Sequence, residues 1–251
     1  GSDILLEGCV RITLGAPKQT ERLIKALRQA VKEINPILIF DIDGVLVDIS
    51  KSYRVAVKKT SEYFTKKEVG FDEIQSFKNK GRLNSDWDLT EAIIRDRGIV
   101  VDKKIIIKKF QSYYNNLRDN EKWLLNKKLL NKLSKQYNLA ILTGRPRNEA
   151  YYVLKKNKVA KYFKEIVSME GVSKQKPDPE GLIKILRQFP DSQAYYFGDS
   201  IDDIKAAASA KIIPIGVLPP QDKSTFLLSL LIKNGAKFAI TDINNIMEAL
   251  K

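Results

Sequence analysis

The sequence predicts an α/β protein: an open, doubly wound parallel sheet whose first strand is followed by an all-helical run before strand–helix alternation resumes. Three observations carry this. Short apolar runs recur, Ile37-Leu38-Ile39-Phe40, Leu139-Ala140-Ile141-Leu142 and Ala194-Tyr195-Tyr196-Phe197, and each breaks into Asp, Thr-Gly or Gly-Asp. From Asp48 to Trp123 the apolar spacing is helical. Beyond that stretch, strands expected at 139–143, 165–169, 194–198, 212–218 and 237–241 alternate with helical segments at Glu149–Lys156, Gly181–Gln188, Asp203–Ala210, Thr225–Lys233 and Asn245–Leu250.

The first strand, 37–40, ends in Asp41-Ile42-Asp43-Gly44. Side chains alternate along an extended chain, but here the backbone is already turning. Asp41 and Asp43 can therefore both address the crevice beyond the carboxyl edge of the sheet, where open α/β folds bind ligands. Two crowded carboxylates repel and need a cation or a shared proton. Magnesium answers that need, since it takes oxygen ligands and keeps waters and a substrate phosphate. Taken alone, the tetrapeptide also fits a strand followed by an acidic Asp-Gly turn. The helical run is expected as Ser52–Phe64, Asp72–Asn79, Asp86–Arg95 and Lys103–Asn115. The later strands then deliver Thr143-Gly144-Arg145 and Gly198-Asp199-Ser200, with Asp202 and Asp203 just beyond. Between them, Lys176-Pro177-Asp178-Pro179 sets a lysine before a helix start, with Asp178 expected as N-cap and Pro179 as first helical residue.

This set, in this order, resembles the haloacid dehalogenase superfamily of phosphohydrolases over residues 36 to 251. All four motifs of that superfamily have a counterpart here. The resemblance implies a parallel-sheet core at 36–48 and 124–251, and an α-helical cap at 49–123 inserted after the first catalytic strand. It implies that Asp41 is the nucleophile that becomes an aspartyl-phosphate, splitting one displacement into two easier ones. Asp43 matches the acid that protonates the leaving alkoxide and then activates water. Thr143 and the amide of Gly144 match donors to the phosphoryl oxygens, and Lys176 matches the cation beside Asp41. Asp199 matches a direct Mg2+ ligand that joins Asp41 and the backbone carbonyl of Asp43, and Asp203 the acidic position that helps hold the metal or its waters. Asp202 reads equally as a neighbour of the site or as an acid facing a helix N-terminus.

Specificity in that superfamily lies in the cap, so the fold leaves the substrate open. Asn84, Asp86, Trp87, Arg145 and Arg147 are the candidate selectors. Trp87 fits an anchor of the cap core or a stacking surface. Arg145 fits a second anion site or a surface arginine at a strand end. The leading expectation is a magnesium-dependent phosphatase of a small phosphorylated metabolite. A sugar-phosphate mutase is the rival, and a non-catalytic module of an aminotransferase fusion is the reading from another class.

Composition narrows the chemistry further. The 251 residues suffice for one substantial core and a smaller unit. There is no histidine, which removes serine–histidine and cysteine–histidine triads, histidine-ligated zinc and histidine bases together. The one cysteine, Cys9, cannot form an intrachain disulfide. No apolar stretch reaches the roughly 18 residues of a membrane span, and a cytoplasmic setting is expected. The net charge of +14 favours anionic ligands. Its lysines are spread through helices, as in Lys58-Lys59, Lys66-Lys67, Lys103-Lys104 and Lys127-Lys128, and read as solvated faces rather than a nucleic-acid platform.

The first 35 residues stand outside this scheme. Cys9-Val10-Arg11-Ile12-Thr13-Leu14-Gly15, then Pro17 and a helix at Thr20–Glu33, resemble the carboxyl-terminal end of histidinol-phosphate aminotransferases. In that family the arginine matching Arg11 recognises a substrate carboxylate. With no pyridoxal-binding lysine motif elsewhere, Arg11 reads as a relic.

Overall fold

The computed structural model describes residues 15–33, 35–81, 83, 85–190 and 192–250, and for 28–33 the backbone alone. Cys9, Arg11 and Asn84 lie outside the described residues. The chain divides into two units, residues 1–35 and 36–251. The first contributes helix α1 (Pro17–Glu33), near whose start Thr20 Oγ1 donates to the Gly15 carbonyl at 3.2 Å.

The second unit begins with β1 (Ile37–Phe40) and β2 (Val47–Asp48), then helices α2 (Tyr53–Thr65), α3 (Phe71–Asn79), α4 (Asp86–Asp96) and α5 (Lys103–Leu117). β3 (Lys122–Trp123), α6 (Lys127–Gln136) and β4 (Asn138–Leu142) return the chain to the sheet. Alternation follows: α7 (Arg147–Lys156), β5 (Glu165–Val167), α8 (Glu180–Leu186), β6 (Ala194–Gly198), α9 (Ile201–Ser209), β7 (Ile213–Val217), α10 (Thr225–Lys233), β8 (Phe238–Ile240) and α11 (Ile246–Ala249).

Among the described residues the main sheet is parallel, in the order β5-β4-β1-β6-β7-β8. Its strands read as unbroken apolar runs because both faces are covered. Leu38, Phe40, Leu139, Ile141, Phe197 and Ile215 point to one core cluster, shared with Val153 and Leu154 of α7 and Ile246 of α11. Ile37, Ile39, Ala140, Leu142 and Tyr196 point to the other, against Leu182 and Ile185 of α8 and Ala206 and Ala207 of α9. Phe40 stacks on Phe197 at 5.1 Å and meets the edge of Phe163 at 6.3 Å. The chain runs outward from β1 through β4 to β5, then crosses to β6 on the other side of β1. This reversal creates the crevice at the carboxyl ends of β1 and β6.

Two elements were not anticipated. β2 and β3 form a small antiparallel ribbon, Val47 opposite Trp123 and Asp48 opposite Lys122, at the base of the helical insertion. Two-residue strands carry too little pattern to announce themselves. Helix α6 is the other. Its Lys127-Lys128 read as the solvated face of a helix without setting its range, and both are exposed; Asn126 accepts from the amides of Lys128 and Leu129, and Leu130 and Leu133 are fully buried. Boundaries also shift: α8 begins at Glu180 with Pro179 as its cap position, while Asp178 accepts from the Glu180 amide at 3.0 Å. Helix α9 begins at Ile201, because Ser200 and Asp203 close a reciprocal capping box that makes Asp203 the third helical residue.

Phe40 should be among the costliest truncations, since its ring fills the central strand between two other aromatics. Phe40→Ala is expected to lower stability by about 3–5 kcal/mol, read from the urea midpoint at unchanged m-value.

Candidate active site

Asp41 directly follows β1, with its amide bonded to the Phe197 carbonyl at 2.9 Å, and its Oδ1 accepts from the Ile42 amide at 2.8 Å. The chain then turns at Gly44, where φ is +74°. A Cβ there would sit 2.4 Å from Asp199 Oδ2, so both the left-handed backbone and the close approach of β1 to β6 require glycine. Asp199 follows β6 directly, and Asp203 lies one turn into α9. Ligand atoms of Asp41, Asp199 and Asp203 fall within 4.8 Å of one another, and all three residues are buried.

Burial pushes the Asp41 carboxyl up to about 8, with Lys176 opposing the rise and Asp203, Asp43 and Asp199 adding to it. Burial likewise raises Asp199 against the pull of Lys78 and Lys176. Asp203 goes the other way. Burial works against its charge, but Lys176, Ser200 and Tyr196 together hold it below the carboxylate range. Lys176 Nζ lies 2.6 Å from Asp203 Oδ1 and 3.3 Å from Asp41 Oδ1. Burial disfavours its ammonium, but Asp203 and Asp41 outweigh that and keep it charged.

Three carboxylates so placed are a hard, all-oxygen donor set in need of positive charge, which suits a divalent cation such as Mg2+. Both Asp203 oxygens are already engaged: Oδ1 by Lys176 and Tyr196 Oη, and Oδ2 by the amide and hydroxyl of Ser200. Asp203 is thus the anchor of Lys176 as well as a member of this carboxylate group.

Thr143 and Gly144 follow β4. Thr143 is buried, and its hydroxyl oxygen accepts from the Arg145 amide at 3.2 Å, leaving the O–H free to donate elsewhere. Gly144 lines a cavity of about 20 Å³ together with Asp41, Asp43, Asp199, Lys78 and Asp86. Asp86, at the start of α4, thus shares this cavity with the core carboxylates. Burial pushes it up to about 6, partly offset by Lys78. Trp87 lines an adjoining cavity with Asp86 and Tyr53. Asp202 is buried and lines the first cavity. Arg147 lies apart, in a groove beside β5 with Glu165 and Lys184.

Arg145 departs from both expectations made for it. It is 2 % exposed, so it is no surface arginine. Its guanidinium is engaged on protein carboxylates and is not an open anion site. Nε and Nη2 donate to Asp43 Oδ1 at 2.9 and 2.5 Å, and Nη1 and Nη2 donate to Glu121 at 3.0 and 3.2 Å.

Sequence reading missed several residues. Lys78, on α3, reaches Asp199 Oδ2 at 3.4 Å. Burial works against its charge, yet Asp199, with Asp86 and Asp43, holds it above the usual lysine range. Nothing distinguishes it locally from the other lysines; only the packing of α3 over the sheet edge selects it. Glu121 is buried and collects Ser52, Tyr114 and Arg145. Glu149 is buried, accepting from Tyr53 Oη and from Gln111 Nε2, the latter at 2.9 Å.

A family model of haloacid dehalogenase-like hydrolases matches residues 38–217. The chain belongs to this family. A curated relative, the imidazoleglycerol-phosphate dehydratase of Phytophthora nicotianae, is 29% identical over 208 residues, covering 77% of this chain and 45% of the relative. A phosphoglycolate phosphatase of Pseudomonas syringae pv. tomato is 24% identical over 189 residues, 70% of this chain and 66% of that protein. The chain therefore spans less than half of the first relative and about two thirds of the second. The crystal structure of a hydrolase from Pseudomonas syringae superposes with a TM-score of 0.69 at 22% identity, covering 86% of this chain and 97% of that one. A magnesium-bound hydrolase of the same superfamily from Bacillus subtilis gives 0.62 at 17%, covering 86% and 98%. These likenesses establish the haloacid dehalogenase fold. Among the described residues no helix is long and apolar enough to cross a membrane.

Glu149 generates a pH prediction. Burial raises its carboxyl from an ordinary 4.5 to about 8. The folded chain then binds this proton more tightly than the unfolded chain, so this group's contribution to stability falls as pH rises from 4.5 to 8. Glu149→Gln can still accept from Gln111 and donate to Tyr53. Thermal unfolding should show no loss at pH 5 and a midpoint raised by roughly 10 °C over the parent at pH 9, where up to about 5 kcal/mol is at stake.

Proposed function

We propose that this protein is a magnesium-dependent phosphatase that cleaves a phosphate monoester of a small metabolite through an aspartyl-phosphate on Asp41. The observation that carries this reading is the convergence of Asp41, Asp43, Asp199 and Lys176 on one small cavity or its wall at the carboxyl edge of the sheet. A serine or cysteine nucleophile with a histidine base is excluded by composition.

In this reading Asp41 attacks phosphorus and the ester oxygen departs, with Asp43 giving it a proton. Asp43 then takes a proton from the water that cleaves the aspartyl-phosphate and releases phosphate. Lys176, locked by Asp203 and Tyr196, stabilises charge on Asp41 and the phosphoryl group. The Thr143 hydroxyl and Gly144 amide orient the phosphoryl oxygens. Asp41, Asp199 and the Asp43 carbonyl would hold Mg2+, which when bound neutralises phosphoryl charge.

The cavity of about 20 Å³ admits a water or an ion but no metabolite. Substrate entry therefore requires helices α2–α5 to move away from the sheet. The Bacillus subtilis structure, which reveals interdomain movement, offers a precedent in the same fold. Lys78 and Asp86 belong to the moving part and would meet the leaving group. Asp86 with the neighbouring Trp87 suits a cationic or imidazole-bearing alcohol. The Phytophthora relative is named for imidazoleglycerol phosphate, and the segment at 9–15 resembles an enzyme of histidinol phosphate. Those two esters and phosphoglycolate head the substrate panel.

Asp41→Asn should abolish phosphate release while circular dichroism stays unchanged, since an amide is nearly isosteric but a poor nucleophile. Exhaustive chelation should stop turnover and Mg2+ restore it. Full activity after chelation, or isomerisation of a sugar phosphate without phosphate release, would refute the assignment.

Lys176→Met should depress kcat/KM on every ester to a similar degree, by about a hundredfold, because the lost charge faces the phosphoryl group common to all. Lys78→Met and Asp86→Asn should instead reorder the panel. A reordering by Lys176→Met, with uniform scaling by the other two, would reverse the division of roles.

A further inference from the structure

Arg145 is a buried cation bonded directly to Asp43 that the proposed reaction does not use. It follows Thr143-Gly144, the proposed phosphoryl donors, and its guanidinium is taken up in a buried network. Its Nε and Nη2 both land on Asp43 Oδ1, and no hydrogen bond is made to Oδ2 among the described residues. Its remaining donors hold Glu121, and Tyr53 lies under the guanidinium at 4.8 Å. Glu121 also accepts from Ser52 Oγ at 3.0 Å and Tyr114 Oη at 3.2 Å. Ser52 immediately precedes α2 and Glu121 immediately precedes β3. Both chain connections between the sheet and the helical insertion therefore meet on the carboxylate that holds the arginine.

We infer that Arg145 is a positioning residue for the reaction proposed above: it pins Oδ1 of Asp43, leaves Oδ2 to exchange the proton with the ester oxygen, and is itself aimed by Glu121 at the base of the insertion. The alternative is a purely structural ion pair. A planar guanidinium can span two carboxylates at fixed angles, whereas an ammonium of the same charge is a point that serves one of them. Geometry and charge can thus be separated by substitution. This inference rests on the phosphatase reading, because it concerns the placement of that reaction's acid.

Arg145→Lys keeps the charge between Asp43 and Glu121 but loses the fork. The measurement is kcat/KM across esters whose leaving groups range from p-nitrophenol, which departs without a proton, to a simple alkyl alcohol, which needs one. This ratio reports the first chemical step, where the acid acts. With the acid misplaced, alkyl esters should lose about a hundredfold and p-nitrophenyl phosphate less than about fivefold, so log kcat/KM falls more steeply with leaving-group pKa. Glu121→Gln, which weakens the aim of Arg145 without touching Asp43, should steepen the same plot to a smaller degree; should Arg145→Lys fail to fold, this variant decides alone. A uniform loss over all esters, or an unchanged slope, would overturn the positioning role and leave a structural ion pair. A parent protein that hydrolyses none of the esters would instead overturn the phosphatase reading, and this inference with it. An active parent with unchanged slopes overturns the inference only.

Discussion

Crowding of negative charge at one edge of a parallel sheet is the constraint to which the rest of this molecule answers. Asp41, Asp43 and Asp199 come from strand ends or the turns after them, Asp203 from the first turn of α9, and Asp86 descends on them from α4. Desolvated carboxylates at such spacing repel strongly. The fold meets them with buried cations delivered by separate connections: Lys176 from the loop before α8, Arg145 from the loop after β4, and Lys78 from α3. Removing any one leaves an anion uncompensated, which costs more than the pair itself contributes.

These cations differ in what anchors them. Lys176 is held by Asp203 and Tyr196, entirely within the sheet core, so its position does not depend on the helical insertion. Lys78 belongs wholly to the insertion, and its contact with Asp199 would break in the movement proposed for substrate entry. Arg145 sits on the core but is aimed by Glu121, at the junction between the two. Core, insertion and junction thus each contribute a cation to one cluster of carboxylates. That division follows from connectivity alone, because an insertion after the first strand must cross the carboxyl edge twice.

The buried polar residues around Arg145 extend the same logic. Tyr53 packs against Tyr114 at 4.2 Å and bonds Glu149 on α7, while Tyr114 bonds Glu121. Aromatic rings give this region an apolar body, and their hydroxyls satisfy carboxylates that water cannot reach. The insertion is thereby keyed to the core by directional bonds and not by apolar contact alone.

Much of this was legible in the chain itself. Apolar runs ending in Asp41-Ile42-Asp43-Gly44, Thr143-Gly144 and Gly198-Asp199 carry their own period and punctuation, so the strands, the alternation and the core carboxylates follow from local pattern. Composition excluded histidine chemistry outright. What the tertiary structure alone decided concerns residues whose local context is ordinary. Lys78 is a lysine among many, Glu121 follows a single helical turn, and Arg145 fitted an anion site as well as a surface arginine. The β2–β3 ribbon was hidden by its brevity. Period and turn chemistry act over a few residues and are written in sequence. The burial of a charge, and the partner that neutralises it, depends on contacts such as Lys78 with Asp199 and Arg145 with Asp43, between segments about a hundred residues apart in the chain.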